Sequence, residues 1–150
     1  MRKFSLVALL ATAAVLVLAS YASGGAKAGP IYTLSAVLVP GQEVPHAKGV
    51  MAGASGRFSG TLANGTLKWH LTFTHLTGRA TASHIHVGVK GKSGSVLVSL
   101  CGPCKSGASG TLKVANPAAF TIAKHGATYV NVHTAKNPNG EIRGQLIVKP

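Results

Sequence analysis

The stretch Thr66–Leu76, TLKWHLTFTHL, alternates apolar and polar side chains almost from end to end. Successive residues of a β-strand point to opposite sides of the sheet, so a period of two predicts a strand with one buried face and one solvated face. The apolar members are Leu67, Trp69, Leu71 and Phe73, and the polar ones are Lys68, His70, Thr72 and Thr74.

Similar short runs lie on both sides of this strand, separated by glycine-rich turns at the roughly 8–12-residue spacing of sandwiches and barrels. Asn64-Gly65 predicts a type I′ hairpin turn, Asn137–Gly140 a hairpin loop, and only Pro117–Lys124 resembles a helical turn. We predict an all-β fold, an antiparallel β-sandwich of about eight strands. The other seven runs are Tyr32–Val39, Ser55–Leu62, Thr81–Val89, Ser95–Leu100, Ser109–Val114, Ala127–Thr134 and Glu141–Val148.

Carboxylates are nearly absent from this basic chain. The 150 residues carry 15 Lys and Arg but only two acids, Glu43 and Glu141, which gives a formal charge of +13 with histidine neutral. A Ca²⁺ or Mg²⁺ cage needs several oxygen ligands, so the composition excludes a carboxylate-rich site of that kind. Reactions run by paired acids are excluded too, unless these two meet. The seven histidines are then the main source of chemistry.

The first residues have the form of a secretory signal peptide. Arg2 and Lys3 precede the apolar run Leu6–Ala19, which is shorter than the roughly 20 residues that a membrane-spanning helix needs. Ser-Tyr-Ala at 20–22 and Ala-Lys-Ala at 26–28 both offer small residues to a signal peptidase; an uncleaved anchor is the alternative. We predict removal of residues 1–28, leaving 29–150 as one secreted or periplasmic domain with no stable membrane span.

Three predicted strands place ligand-type side chains on the face turned away from the core. In the fourth strand, Ile85, Val87 and Val89 are assigned to the apolar face, which puts His84 and His86 together on the other. Their Cα atoms are then about 6.5–7 Å apart. The same alternation in the last two strands selects Tyr129, Asn131, His133, Glu141, Arg143 and Gln145.

Four motifs in order resemble the chordin-type (CHRD) domain. They are GQEVP at 41–45, HIHVG at 84–88, YVNVHT at 129–134 and NPNGEIRGQ at 137–145, and the resemblance covers about residues 31–148. It implies an extracellular binding or structural module of unassigned ligand, built as a Greek-key sandwich of the immunoglobulin-like or superoxide dismutase-like kind.

A more distant resemblance links the histidines to the copper/zinc superoxide dismutases. That family also carries a His-x-His pair on one strand and a further histidine on a late strand, which matches His84, His86 and His133. It also requires a bridging histidine in a long zinc loop and an aspartate ligand. This chain has no aspartate, and no histidine cluster follows His86, so a dismutase-type zinc site is excluded.

The three histidines are candidate ligands for copper or zinc, because neutral imidazole suits both ions. Three protein ligands would leave a fourth position open, and redox activity on small anions is one use of it. We expect Glu141, Arg143, Asn131 or Tyr129 to orient the imidazoles through hydrogen bonds. The alternative is that His84 and His86 are hydrogen-bonded residues with no metal.

The glutamates and the other histidines have simpler interpretations. Glu141 either pairs with Arg143 on the same strand face or accepts a hydrogen bond from a histidine. Glu43, before Pro45, is expected to fix a loop by accepting backbone N–H bonds. The remaining histidines are expected to be solvated; they are His46, His70, His75 and His125.

Cys101-Gly102-Pro103-Cys104 spells the thioredoxin tetrapeptide, but the sequence around it argues against that chemistry. A reactive first cysteine needs a helix N-terminus, and the glycine- and serine-rich KSGASG that follows does not favour a helix. Two cysteines in a secreted chain are expected to form a disulfide. Redox activity and a soft metal site are the alternatives.

The net positive charge predicts that partners are anionic, and it predicts nothing more specific about them. Arg2, Lys3 and Lys27 lie in the predicted leader, which leaves twelve bases against two acids, about +10, in residues 29–150. With one tryptophan and no nucleic-acid motif, stacking on bases is not expected. Anionic cell-surface or matrix polymers, or an acidic protein, are the expected contacts, and a solvated surface with no dedicated partner is the alternative.

Overall fold

A computed structural model describes residues 29–150; the predicted signal peptide lies outside the described residues. None of the helices in 29–150 is long and apolar enough to cross a membrane. The helical elements are the short helix α1 (Asn116–Ala123) and a 3₁₀ turn at Pro40–Gln42. The strands are β1 (Ile31–Leu38), β2 (Ser55–Ala63), β3 (Thr66–Thr74), β4 (Ala80–Val87), β5 (Val96–Cys101), β6 (Ala108–Lys113), β7 (Thr128–Thr134), β8 (Ile142–Gln145) and β9 (Ile147–Lys149).

The strands form two antiparallel sheets packed face to face. One sheet has the order β6-β3-β2-β1-β9 and the other β5-β4-β7-β8. The chain crosses from β3 to the second sheet, returns to lay β6 beside β3, and crosses again to lay β7 beside β4. These are connections of the Greek-key kind, so the predicted all-β sandwich is confirmed.

Strand β3 supplies the centre of the core, as its alternation predicts. Leu67 and Leu71 are fully buried and Trp69 is nearly so, while Lys68 and His70 are exposed. Burying a side chain of leucine size contributes about 1.5–3 kcal/mol, so Leu67 and Leu71 each add about that much to the stability of the core. The predicted Asn64-Gly65 turn also forms, with positive φ at both residues, as a type I′ turn requires.

Two details of the strand prediction are wrong. The run Glu141–Val148 is two strands, because Leu146 is buried and its N–H bonds to Thr128 at 2.9 Å, after which β9 joins β1 in the other sheet. The chain changes sheets there, which alternation cannot reveal. Val87 and Val89 are 37% and 56% exposed rather than in the core, since β4 ends at Val87.

Candidate metal centre

Three histidines meet on the outer side of the four-stranded sheet. His84 and His86 lie on β4 and His133 on the neighbouring β7, opposite Ala82 and therefore diagonal to His84. One ring nitrogen from each histidine can be chosen so that all three lie within 4.8 Å of one another. The predicted juxtaposition of these side chains is therefore present in the structure.

Backbone carbonyls fix the tautomer of two of the rings. His86 Nδ1 lies 2.9 Å from the carbonyl oxygen of Gly94, and His133 Nδ1 lies 2.9 Å from that of Pro138. A carbonyl can only accept, so both Nδ1 atoms carry the proton and both Nε2 atoms present a lone pair. This is the orientation that a metal-ligating histidine adopts when its second nitrogen is held from behind.

The third imidazole, that of His84, hydrogen-bonds to His133. His84 Nδ1 lies 3.0 Å from His133 Nε2. Because His133 Nε2 has the lone pair, His84 Nδ1 is the donor of this hydrogen bond. If the His84 proton moves to Nε2 of the same ring, Nδ1 offers a lone pair beside that of His133 Nε2, and a divalent ion would meet both.

All three imidazoles favour the neutral form. Burial, with the neighbouring His133 and His86, lowers the pKa of His84 from 6.5 to about 4. Burial also lowers the pKa of His86 and of His133, even though the carbonyl bonds oppose the shift. Neutral imidazole is the form that can bind a metal, and none of the three rings is favoured as a cation at neutral pH.

Tyr129 and Arg143 hold the loop that orients His86. Tyr129 stacks on His86 at 4.9 Å between ring centroids, and the Arg143 guanidinium lies 3.4 Å from the centroid of the same tyrosine ring. The Tyr129 hydroxyl accepts the Gly94 N–H at 3.2 Å, and Arg143 Nη2 donates to Val89 and Lys92 carbonyls at 3.1 and 2.8 Å. The loop between β4 and β5 is thus held at three backbone points, one of them beside the carbonyl that binds His86.

Three buried polar atoms in this region have no hydrogen-bond partner. They are His86 Nε2, Asn131 Oδ1 and Arg143 Nη1. Asn131 lies between His84 and Arg143 in the strand register, and its side chain neighbours His86. A buried polar atom without a partner costs about 1–3 kcal/mol, so each of these atoms calls for a partner such as a water molecule or an ion.

Glu141 does not occupy either position expected of it. Its carboxylate accepts bonds from the Thr77 N–H and hydroxyl at 2.7 and 2.5 Å, from the Thr134 hydroxyl at 2.6 Å and from Asn137 Nδ2 at 3.3 Å. None of these donors is a histidine or Arg143. The residue ties the end of β7 to two loops, and it reaches the site through Thr134, which adjoins His133, and through the loop that carries the Pro138 carbonyl.

Glu43 is the buried group that sequence reasoning described incompletely. Burial raises the pKa of its carboxyl to about 8, although Arg143 and the Val44 N–H act in the opposite direction. Its Oε1 has no hydrogen-bond partner, so of the expected backbone N–H bonds only the one from Val44 acts on this carboxyl. Gly140, at φ +126°, leaves the room that this carboxyl fills. Proximity of Glu43 to Arg143 depends on tertiary structure and has no local sequence signal.

Cys101 and Cys104 form the predicted disulfide, with Cα atoms 5.3 Å apart. Residues 102–107 form bends and turns rather than a helix, so the arrangement that activates a thioredoxin cysteine is not present there. The four remaining histidines are exposed, as expected; they are His46, His70, His75 and His125.

The fold and the histidine group place the protein in a structural class: it is an antiparallel β-sandwich with three clustered imidazoles on the outer side of one sheet. A family model for the CHRD domain matches residues 34–146, and the chain belongs to this family. Searches of curated proteins and of solved structures each returned no match. The more distant resemblance to copper/zinc superoxide dismutases is not borne out. Family membership and the disulfide are consistent with an extracytoplasmic location.

Proposed function

We propose that this protein is an extracytoplasmic CHRD-domain binding module that takes up Cu(II) or Zn(II) through His84, His86 and His133. The observation that carries the proposal is the convergence of three ring nitrogens within 4.8 Å. Backbone carbonyls hold the His86 and His133 rings through Nδ1–H, so that Nε2 of each ring is unprotonated. All three rings favour the neutral form.

The donor set supports these two ions over the alternatives. Imidazole is an intermediate ligand that suits copper and zinc, whereas Ca²⁺ and Mg²⁺ require oxygen ligands. Neither carboxylate hydrogen-bonds to a site histidine, since Glu141 is committed to Thr77, Thr134 and Asn137. Three protein ligands leave a fourth position for water or a small anion, and Arg143 supplies a nearby positive charge. With copper bound, redox activity on a small anion would occur at this position.

Calorimetric titration with Cu(II) and with Zn(II) tests the proposal. We expect one ion per wild-type chain, and at least about 100-fold weaker binding in the His84→Ala/His133→Ala variant, because one imidazole cannot hold the ion alone. The matched control is His70→Ala/His125→Ala, which removes two exposed imidazoles and should bind like wild type. Circular dichroism checks that all three proteins are folded.

Two results would reject metal binding by these three histidines. One is the absence of uptake by the wild-type protein, and the other is an equal loss in the control variant. The Cu(II) electron paramagnetic resonance spectrum adds a second readout, since imidazole ligands give nitrogen hyperfine structure. Bleaching of that spectrum by a small reducing anion would support the redox activity, and a fixed spectrum would limit the role to binding.

Export is part of the same proposal and has its own test. The intact mass of the protein recovered outside the cytoplasm should correspond to cleavage after Ala22 or after Ala28. A mass that retains residues 1–28 would instead support the uncleaved anchor.

A further inference from the structure

The two sheets of the sandwich differ in how their outer sides are covered. In the four-stranded sheet every residue of β7 is buried, because loops cover its outer side. In the five-stranded sheet, β1, β2 and β3 alternate between buried and exposed or half-buried residues. We call the outward-facing residues of β6, β3, β2, β1 and β9 the open sheet face.

The described surface carries positive side chains without acidic ones. Both acids of the chain, Glu43 and Glu141, are buried, at 2% and 0% exposure. Of the lysines and arginines from residue 29 onward, only Arg143 is buried. No carboxylate side chain of residues 29–150 therefore neutralises the exposed cations, and the net positive charge of the domain attracts anions.

The open sheet face adds an ordered array of hydroxyls to this charge. Strand register places Lys149, Thr33, Thr61, Lys68 and Thr111 in one row across all five strands. Ser35, Ser59, His70 and Ser109 form the next row, and all nine of these side chains are exposed.

The spacing of the cations suits an extended ligand. Lys149 and Lys68 are three strand intervals apart, about 14 Å, and Arg57 lies four residues along from the Lys68 row, about 13 Å. Shallow depressions of about 360 and 260 Å³ lie beside Lys68 and Arg57. A chain of several charged units can therefore meet more than one cation at a time.

The composition of the face decides between classes of polyanion. Protein interfaces and single-stranded nucleic acids use aromatic or apolar anchors at the centre, and a bilayer requires an inserted apolar face. Here the exposed apolar side chains Ile31, Val37 and Ile147 lie on the β1 and β9 side. The outward side chains of β2 and β3 are hydroxyls, cations and one imidazole, together with Ala63. Hydroxyls beside fixed cations match a ligand that itself combines hydroxyl groups with carboxylate or sulfate.

We propose that the open sheet face binds an acidic polysaccharide chain, with Arg57, Lys68 and Lys149 pairing with its anionic groups. The serine and threonine hydroxyls of the two rows bond to the sugar hydroxyls between them. This surface lies on the opposite sheet from the histidine group, so it does not depend on metal uptake.

Binding to immobilised polygalacturonate and heparin, with dextran as the neutral glycan, tests this surface on the purified protein. We expect the Arg57→Thr/Lys68→Thr/Lys149→Thr variant to bind both acidic glycans at least about tenfold more weakly than wild type. Threonine favours strands, so the sheet should persist. The matched control, Lys90→Thr/Lys92→Thr/Lys105→Thr, removes the same charge from exposed loop positions and should lose less than about threefold.

The outcomes separate a defined surface from general charge attraction. Wild-type binding that weakens with salt, together with the difference between the two variants, supports the open sheet face. An equal loss in both variants would show that charge alone acts and would overturn the proposal. So would binding to dextran as strong as to the acidic glycans, or binding to anionic phospholipid vesicles without binding to either glycan.

Discussion

A Glu141→Ala variant is expected to lose about 4 kcal/mol of unfolding free energy at pH 7. The carboxylate is fully buried and accepts four hydrogen bonds, from Thr77, Thr134 and Asn137. Bonds to a charged group contribute about 1.5–3 kcal/mol each, and removal of the shared acceptor leaves buried donors without partners. Losses of this size are at the upper end of those measured for single substitutions.

The substitution is expected to affect more than one contact, because Glu141 joins segments that are distant in sequence. Asn137, which donates to it, also accepts the Lys48 N–H at 2.7 Å and donates to the Lys48 carbonyl at 3.2 Å. Thr77 belongs to the loop between β3 and β4, and Pro138 next to Asn137 supplies the carbonyl that binds His133. We therefore expect the Glu141→Ala variant to have a loosened histidine group as well as lower stability.

Urea unfolding of wild type, Glu141→Ala and Glu141→Gln measures the effect. The glutamine variant keeps one acceptor oxygen and should lose less than the alanine variant. The matched control is Glu43→Gln, the same chemical change at the other buried carboxyl, which lacks such a set of donors and should not destabilise the protein at pH 7. Equal stability of Glu141→Ala and wild type would contradict the assigned role.

The histidine group was predictable from sequence because it depends on local alternation. A period of two puts His84 and His86 on one side of β4, and the same rule puts His133 on the matching side of β7. The pairing of β4 with β7 then needs only the sandwich topology. The core positions of β3 follow from the same rule.

Features that depend on contacts between distant loops were not predictable in this way. Gly94 and Pro138 orient the histidines through backbone carbonyls, which any residue could supply, so their identities carry no signal. The partners of Glu141 come from Thr77 and Asn137 in two different loops and from Thr134 at the end of β7. The sequence does not reveal that the chain changes sheets at Leu146, because the alternation of inward and outward side chains continues through this residue.

The two glutamates should titrate with opposite consequences for stability. Burial works against ionisation of Glu141, but its hydrogen bonds outweigh that cost and lower its pKa below 4.5, so its contribution is present above that pH and is lost on acidification. The pKa of Glu43 is raised to about 8 by burial. Its neutral form is favoured by folding, so its contribution is fully present below pH 4.5 and is lost as pH rises through 8.

A Glu43→Gln variant is therefore expected to resist alkaline pH better than wild type. Between pH 4.5 and 8 the native carboxyl keeps a proton that the unfolded chain releases, which lowers wild-type stability by up to about 1.4 kcal/mol per pH unit. Glutamine does not titrate and fills nearly the same volume beside Gly140. The difference in unfolding free energy between variant and wild type should grow by roughly 3–5 kcal/mol from pH 5 to pH 9.

Urea titrations of both proteins at each pH unit from 5 to 9 measure this difference. Comparing variant with wild type cancels the histidines, whose lowered pKa values make both proteins less stable as pH falls below 6.5. A difference that stays constant from pH 5 to 9 would mean that Glu43 ionises normally in the fold. Its negative charge would then be stabilised by the nearby Arg143, and the variant would be the less stable protein at every pH above 5.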